Sequence, residues 1–127
     1  MTLIFVFGSN TAGRHGRGAA YTARIHHGAI NGIGEGIQGR SYGIPTKDHH
    51  LKTLTLNVIR LYVDNFLIYS NIHQELGFKV TRVGCGYAGY GDMDMAPMFE
   101  EANPNNVFFD SKWKKYLGDK YEFWGSY

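Results

Sequence analysis

Two glycine-rich segments are the part of this chain best suited to chemistry on a charged ligand. The first runs from Gly8 to Gly18 and the second from Gly84 to Gly91. Glycine lets the backbone adopt positive φ and lets a ligand approach closely, and N–H groups in such loops bind anions without charged side chains. The first segment lacks both the full dinucleotide-binding spacing and the Gly-Lys-Ser/Thr ending of a Walker loop. The two segments therefore predict a cradle for the phosphates of a nucleotide-like ligand.

Three predicted strands precede the segments that could form the site. Residues 3–7 are an unbroken β-branched and aromatic run, which is typical of a central strand covered on both faces. Ser41–Pro45 is predicted as the second strand and Phe78–Val83 as the third. In open α/β sheets, ligands bind beyond the carboxyl ends of the strands. Both glycine segments and the pair Thr46-Lys47 are therefore expected at one edge of a sheet.

Helical patterns alternate with these strands. The broadest apolar face runs from Leu51 to about Leu76, and Gly77 is predicted to end that helix. Residues 31–39 hold four glycines and predict an exposed loop. The remaining predicted elements are helices at Ala19–Ile30 and Met93–Ala102, a strand at Val107–Asp110 and a last turn or helix at Trp113–Leu117. This alternation predicts one three-layer α/β domain spanning residues 1–127.

The composition is that of a folded protein outside the membrane. Hydrophobic residues make up 43% of the 127 residues, and the mean hydropathy is −0.30. Charged and polar residues interrupt the most apolar stretch, 51–69, which therefore predicts a buried helix rather than a membrane span. The single cysteine, Cys85, excludes an internal disulfide and favours a cytoplasmic location. No signal peptide is expected before the first strand.

The positive charge is concentrated in the first third of the chain. Residues 1–47 hold five Lys or Arg residues against one acid, Glu35, although the net charge of the whole chain is only +2. This asymmetry favours an anionic small ligand at the glycine-rich end. The alternative is that the arginines are merely solvated.

The motifs resemble those of macrodomains. The resemblance rests on Val6-Phe7-Gly8-Ser9-Asn10, on Ile44-Pro45-Thr46-Lys47 and on the stretch from Thr81 to Tyr90, and it covers roughly residues 3–110. The chain is most similar to short macro-like proteins of phage and prophage and to the branch that removes ADP-ribose from nucleic acid. The resemblance implies a three-layer α/β/α fold with a mixed, mostly parallel sheet, an ADP-ribose ligand and no cofactor. A phage origin would place the protein in the host cytoplasm.

The resemblance also implies roles for individual residues. Asn10 would contact the distal ribose, Gly13–Gly18 would line that sugar and the diphosphate, and Gly84–Tyr90 would enclose the phosphates from the other side. Two positions differ from the hydrolases of the family. Gly-Ser-Asn replaces their Asn-Ala-Ala-Asn, and Tyr-Ala-Gly-Tyr stands where some glycohydrolases place an aspartate. The binding residues so implied are Gly8, Ser9, Asn10, Gly13, Arg14, His15, Gly16, Gly18, Thr46, Gly84, Cys85, Gly86, Tyr87, Ala88, Gly89 and Tyr90.

Lys47 is the candidate catalytic residue, because the matching lysine takes part in bond cleavage in the DNA-directed branch. A lysine near an anomeric carbon could attack it as an amine or stabilise the leaving group as a cation. Two functions therefore stay open. The protein is either an enzyme that cleaves ADP-ribosyl bonds on nucleic acid or protein, or a non-catalytic phage binder that sequesters an ADP-ribose-like or cyclic nucleotide signal. In the second case Lys47 only neutralises phosphate.

Several other residue types have an ordinary structural explanation. Asp92 and Asp94 are expected to cap a helix or to interact with its dipole rather than to form a carboxylate pair. His15 is expected either to bond the ligand or to be exposed to solvent. The adjacent pairs His26-His27 and His49-His50 point in different directions, so no zinc site is predicted.

Aromatic residues and the cysteine leave further alternatives. Arg82 could lower the pKa of Cys85, although a packing role for the thiol is favoured. Tyr87 and Tyr90 stack on a base or ribose, or else pack on the domain. The aromatic tail, about 112–127, is predicted first to cap the sheet, second to form a homo-oligomer and third to stack on nucleic acid.

Overall fold

The computed structural model describes residues 1–127 and contains a six-stranded mixed sheet. Its strands are β1 (Thr2–Asn10), β2 (Gly36–Gln38), β3 (Ser41–Lys47), β4 (Leu76–Val80), β5 (Val107–Asp110) and β6 (Phe123–Gly125). They lie in the order β2-β3-β1-β4-β5-β6. All neighbours are parallel except β2 and β3. The predicted α/β fold with a mostly parallel sheet is therefore confirmed.

The first strand is central, as its apolar run predicts. Ile4 and Val6 belong to the larger hydrophobic core on one face of the sheet, and Phe5 and Phe7 belong to a smaller core on the other face. All four are buried, and each contributes roughly 2 kcal/mol through removal of apolar surface from water. Since β3 and β4 flank β1 in parallel, their carboxyl ends meet at one edge.

Helices cover both faces of the sheet. They are α1 (Gly18–His26), α2 (Leu56–Ile72), α3 (Asp92–Met95) and α4 (Lys114–Leu117), with 3-10 turns at Ala96–Phe99 and Ser111–Trp113. Only α1 packs on the smaller core, where Ala20 and Ala23 lie against the phenylalanines of β1. Those small side chains let α1 approach closely, which sets its N-terminus beside the end of β1. None of the helices is long and apolar enough to cross a membrane.

The long helix is shorter than its pattern predicts. It begins at Leu56 rather than Leu51, because Leu51 lies in a turn with a positive φ of 63° and its N–H donates to Asp48. It ends at Ile72, so the prediction that Gly77 terminates it is wrong. Gly77 lies inside β4, where it pairs with Leu3 of β1.

Two further segments differ from their predictions. The predicted loop 31–39 contains β2, whose Gln38 is buried, so the loop is not wholly exposed. The predicted helix 93–102 divides at Ala96 into α3 and a 3-10 turn, because Pro97 cannot continue the α-helical hydrogen bonds. The predicted strand Val107–Asp110 is confirmed at both bounds.

The aromatic tail extends the sheet. Phe123–Gly125 forms β6, parallel to β5, which the sequence analysis did not predict as a strand. Tyr121 is buried with its hydroxyl 2.7 Å from the carbonyl oxygen of Glu100. Trp124 Nε1 donates to the carbonyl of Val80 over 3.0 Å. The tail therefore packs as the edge of the sheet, which is the role predicted first for it.

Candidate functional site

A cavity of about 650 Å³ lies along the carboxyl edge of the sheet. The ends of β3, β1, β4 and β5 contribute Lys47, Asn10, Thr81 and Asp110 to it, and Tyr127 from the tail closes one side. The cavity also receives both glycine segments. The convergence expected at this edge is therefore present in the fold.

Most of the predicted site residues line this cavity. Four do not: Gly13, His15, Gly89 and Tyr90. The Tyr90 hydroxyl donates to the Leu54 carbonyl over 2.7 Å, so this tyrosine packs on the domain. The predicted residues in the lining are Gly8, Ser9, Asn10, Arg14, Gly16, Gly18, Thr46, Lys47, Gly84, Cys85, Gly86, Tyr87 and Ala88.

The side chain of Asn10 holds the first glycine loop in shape. Its Nδ2 donates to the Arg14 carbonyl over 2.9 Å, and its Oδ1 accepts from the Arg14 N–H over 3.0 Å. Asn10 is buried. Both ends of the amide are therefore engaged within the loop, although the residue lines the cavity.

A second loop, residues 31–38, supports the first glycine segment. His15 is 1% exposed, and its Nε2 lies 2.9 Å from the Ile33 carbonyl oxygen and 3.1 Å from Gln38 Oε1. Because both neighbours are acceptors there, Nε2 carries the hydrogen. The N–H of Gly32 donates to the Gly13 carbonyl over 2.9 Å. Both interpretations of His15 are therefore wrong: it neither lines the cavity nor faces solvent, but anchors the loop to residues 31–38.

Both glycine segments present backbone N–H groups that have no acceptor in the protein. In the first they are the amides of Gly16, Arg17, Gly18, Ala19 and Ala20. The last three form the first turn of α1, which has no side-chain cap and no acidic residue. In the second they are the amides of Gly84, Gly86, Tyr87 and Ala88. All of these residues line the cavity, and such rows of free donors bind anions.

Tyr87 joins the two segments across the opening of the cavity. Its ring lies against Gly18, where an added Cβ would be 3.1 Å from the ring. The Arg17 guanidinium lies 5.8 Å and the Lys47 Nζ 5.7 Å from the ring centroid. Thr53 donates to the carbonyl of Ala88 over 3.1 Å and so holds the segment beside Tyr87. Both cations are thus within cation–π distance of the ring.

Arg82 lines the cavity but is paired with a carboxylate behind it. Its Nε and Nη2 each lie 2.8 Å from the oxygens of Asp92, and buried Trp113 also donates to Asp92 over 2.8 Å. These hydrogen bonds, that from Arg82 foremost, lower the pKa of Asp92 to about 2. Asp92 therefore serves as an ion-pair partner rather than as a cap, and its place in the first turn of α3 fits the other expected role, interaction with the helix dipole. Asp94 does cap α3, since its Oδ2 accepts from the Gly91 N–H over 3.1 Å.

Cys85 is not an activated nucleophile. Burial, followed by the nearby Asp92 carboxylate, raises the pKa of the thiol to about 12, although Arg82 acts in the opposite direction. Arg82 does act to lower this pKa, as expected, but burial and the Asp92 carboxylate that binds the guanidinium outweigh its effect. At neutral pH the thiol stays protonated and serves as a packed wall of the cavity.

The sequence analysis missed several residues of the lining. Asp110 is fully buried, and its Oδ2 accepts from Ser126 Oγ over 3.0 Å and from the Tyr127 N–H over 3.3 Å. The Tyr127 hydroxyl lies 2.6 Å from Thr22 Oγ1 on α1. Asp110 could have been found, because it ends a correctly predicted strand. Tyr127 could not, since no strand was predicted in the tail. The other missed residues are Arg17, Ala19, Ala20, Leu51, Thr81, Arg82 and Val83.

The cavity has more cations than anions. Arg14, Arg17, Lys47 and Arg82 line it, and Asp110 is its only acidic residue. Asp110 is the last residue of β5, whereas Lys47 is the last residue of β3, on the other side of β1 and β4. No carboxylate of the lining therefore lies on the strand end beside Lys47. No group of three His, Cys, Asp or Glu side chains is arranged to hold a metal ion.

Comparison with known proteins does not assign a family or a function to the chain. The chain matches no family model, no curated protein and no solved structure.

Proposed function

We propose that this protein binds ADP-ribose or a related nucleotide derivative in the cavity at the carboxyl edge of its sheet. One observation carries the proposal: two rows of backbone N–H groups without acceptors line the same cavity, one on each glycine segment. A diphosphate has enough oxygens to accept from both rows at once. Arg14, Arg17 and Lys47 add positive charge around it.

The length of the cavity suits an extended ligand. From β3 to β5 it crosses three strand spacings, or about 15 Å at roughly 4.8 Å each. In the proposed complex the diphosphate lies between the glycine segments and one sugar lies near Lys47. The base lies towards Tyr127, whose ring offers an apolar wall beside Ala19 and Ala20.

Binding without cleavage is the function that the lining favours. Hydrolysis of a glycosidic bond ordinarily uses a carboxylate to activate water, and Asp110 already accepts three hydrogen bonds. A binder that sequesters a nucleotide signal, as a phage protein would, needs only the cradle. The second candidate is ADP-ribosyl hydrolysis, and the observation that favours it is the presence of Lys47 in the lining.

A larger side chain at Gly86 should fill the space between the glycine segments, weaken ligand binding strongly and leave the fold intact. Gly86 lines the cavity, has no neighbour within 4 Å of an added Cβ and does not have positive φ. We expect Gly86→Val to weaken ADP-ribose binding at least about 100-fold in calorimetry, because the side chain occupies the space of the phosphates. Gly91→Val is the matched control, since Gly91 lies outside the cavity and an added Cβ there meets only ordinary contacts.

The result has a clear contrary outcome. Heat of binding that is equal in Gly86→Val and the wild type would place the ligand elsewhere. Absence of heat with ADP-ribose, AMP and inorganic pyrophosphate in the wild type would overturn the proposed function.

Substitution of Lys47 distinguishes binding alone from ADP-ribosyl hydrolysis. We expect Lys47→Ala to bind ADP-ribose about tenfold more weakly, because one phosphate-neutralising charge is lost. We expect the wild type to release no ADP-ribose from modified DNA or protein. Release that disappears in Lys47→Ala but not in the exposed control Lys52→Ala would establish the enzyme. Release that persists in Lys47→Ala would show that another residue performs the cleavage.

A further inference from the structure

Helix α2 has an apolar stripe on the side that faces away from the sheet. Its inner side is buried through Ile59, Val63 and Phe66. On its outer side four aliphatic residues remain exposed, and an asparagine lies at the centre between them. These are Val58 (37% exposed), Leu61 (63%), Ile68 (60%) and Ile72 (70%), with exposed Asn65 in the middle. A helix that is apolar on two opposite sides is typical of one with partners on both sides.

The stripe has the spacing of a helix-pairing seam. Positions 58, 61, 65, 68 and 72 are separated by three, four, three and four residues, which is the alternation that keeps one face of a helix against another helix. At 37–70% exposure each, the four aliphatic residues together expose on the order of 400 Å². This lies within the range of the largest patches on monomers, which often serve as binding sites.

We propose that the stripe pairs with the same stripe of a second copy of this chain, with the two helices antiparallel about Asn65. Read in reverse, the stripe matches itself to within one residue. A two-fold axis at Asn65 sets Val58 opposite Ile72 of the second copy and Leu61 within one residue of its Ile68. Antiparallel packing also brings opposite ends of the two helix dipoles together. A patch that matches its own reverse is the requirement of an isologous dimer.

The surroundings of the stripe extend the interface. Asn65 Nδ2 donates to Glu35 Oε2 over 3.0 Å, so the segment before β2 lies beside the helix. Ile37 is 40% exposed on the edge strand β2, opposite Tyr42 in the register, and therefore on the α2 side of the sheet. On the other flank, Arg60 and Asp64 pair with each other over 3.2 Å and leave no unbalanced charge there.

The area of the proposed interface determines how tightly the two copies are expected to bind. With its flanks, such an interface would bury roughly 1,000 Å² in total, which is at the lower limit for a specific complex. We therefore expect a dimer that forms at micromolar concentrations. Formation of this dimer does not depend on a ligand in the cavity.

Light scattering and sedimentation of the full chain test the dimer. At about 200 µM we expect a mass near twice 14.3 kDa for the wild type. Leu61→Glu and Ile68→Glu should each raise the dissociation constant at least about tenfold, because two charges enter the seam. The matched control Ile25→Glu, at an exposed isoleucine (48%) of α1 on the other face of the sheet, should remain dimeric. A monomeric wild type at this concentration, or equal dissociation constants for all four proteins, would overturn the proposal.

Cysteine cross-linking tests the orientation. In the antiparallel pair the two copies of residue 65 meet at the axis. The two copies of residue 61 are separated along the helices by eight residues of rise, or about 12 Å. Mild oxidation should therefore link Asn65→Cys but not Leu61→Cys through a disulfide, which needs Cα atoms within about 7 Å. The wild type, whose only cysteine is Cys85 in the cavity, is the control. Rapid linkage of Leu61→Cys would overturn the antiparallel arrangement.

Discussion

Replacement of Gly13 by alanine is expected to lower the free energy of unfolding by about 3 to 5 kcal/mol. Gly13 has a φ of +68°, which costs a residue with a Cβ roughly 1 to 2 kcal/mol. The added Cβ would also lie 2.5 Å from the carbonyl carbon of Gly32 and closer still to the amide nitrogen of Ile33. Because these are backbone atoms, no side-chain rotation can relieve the overlap. The supporting loop would have to move away from the first glycine segment.

Gly16→Ala in the same segment is the matched control. Gly16 does not have positive φ, and an added Cβ there would meet no atom within 4 Å. We expect this variant to change the stability by less than about 0.5 kcal/mol. Urea unfolding of both variants measures the difference. Equal stability of Gly13→Ala and Gly16→Ala would show that the second loop does not support the first.

Replacement of Asp92 by alanine is expected to cost about 3 kcal/mol. The change leaves the partly buried Arg82 without its bidentate partner and the buried Trp113 Nε1 without an acceptor. Asp94→Ala, two residues further on, removes only an exposed helix cap and should cost about 1 kcal/mol. A loss in Asp92→Ala no larger than in Asp94→Ala would contradict a structural role for the ion pair.

The same ion pair predicts a pH dependence with a defined sign. The pKa of Asp92 falls from 3.8 to about 2 in the folded protein, mainly through the hydrogen bond from Arg82. A carboxyl group with a lowered pKa stabilises the fold above its unfolded pKa, and this contribution is lost as the pH falls through the folded value. The ionised carboxylate thus contributes about 2 kcal/mol above pH 4. The stability difference between wild type and Asp92→Asn should shrink from pH 5 to pH 2.

Much of the framework follows from local sequence pattern. The uninterrupted run at 3–7 indicates a strand buried on both faces, and β1 is buried in two cores. Because parallel strands end at a common edge, the sequence alone predicts that Lys47 and both glycine segments lie close together. All three contribute residues to one cavity. These features depend on residues that are close in sequence or on general rules of topology.

The parts that were missed depend on contacts between distant residues. Nothing local to His15 indicates that Ile33 and Gln38 enclose it, so its burial could not be predicted. Gly77 has the sequence context of a helix stop, yet it pairs in the sheet with Leu3, 74 residues earlier. Tyr127 belongs to the site only because the tail pairs with β5. Such tertiary contacts override local propensity.

The acceptor-free amides of the two glycine segments affect how freely the residues of this cavity can change during evolution. A donor that belongs to the main chain survives an exchange of its own side chain where the new side chain points away from the ligand, so natural selection there constrains torsion angles rather than residue identities. The glycines that must be retained are those with positive φ, such as Gly18 and Gly84 at +58° and +82°, and those whose side chain would fill the cradle, such as Gly86. Homologous proteins with the same ligand could therefore share a few spaced glycines and little else.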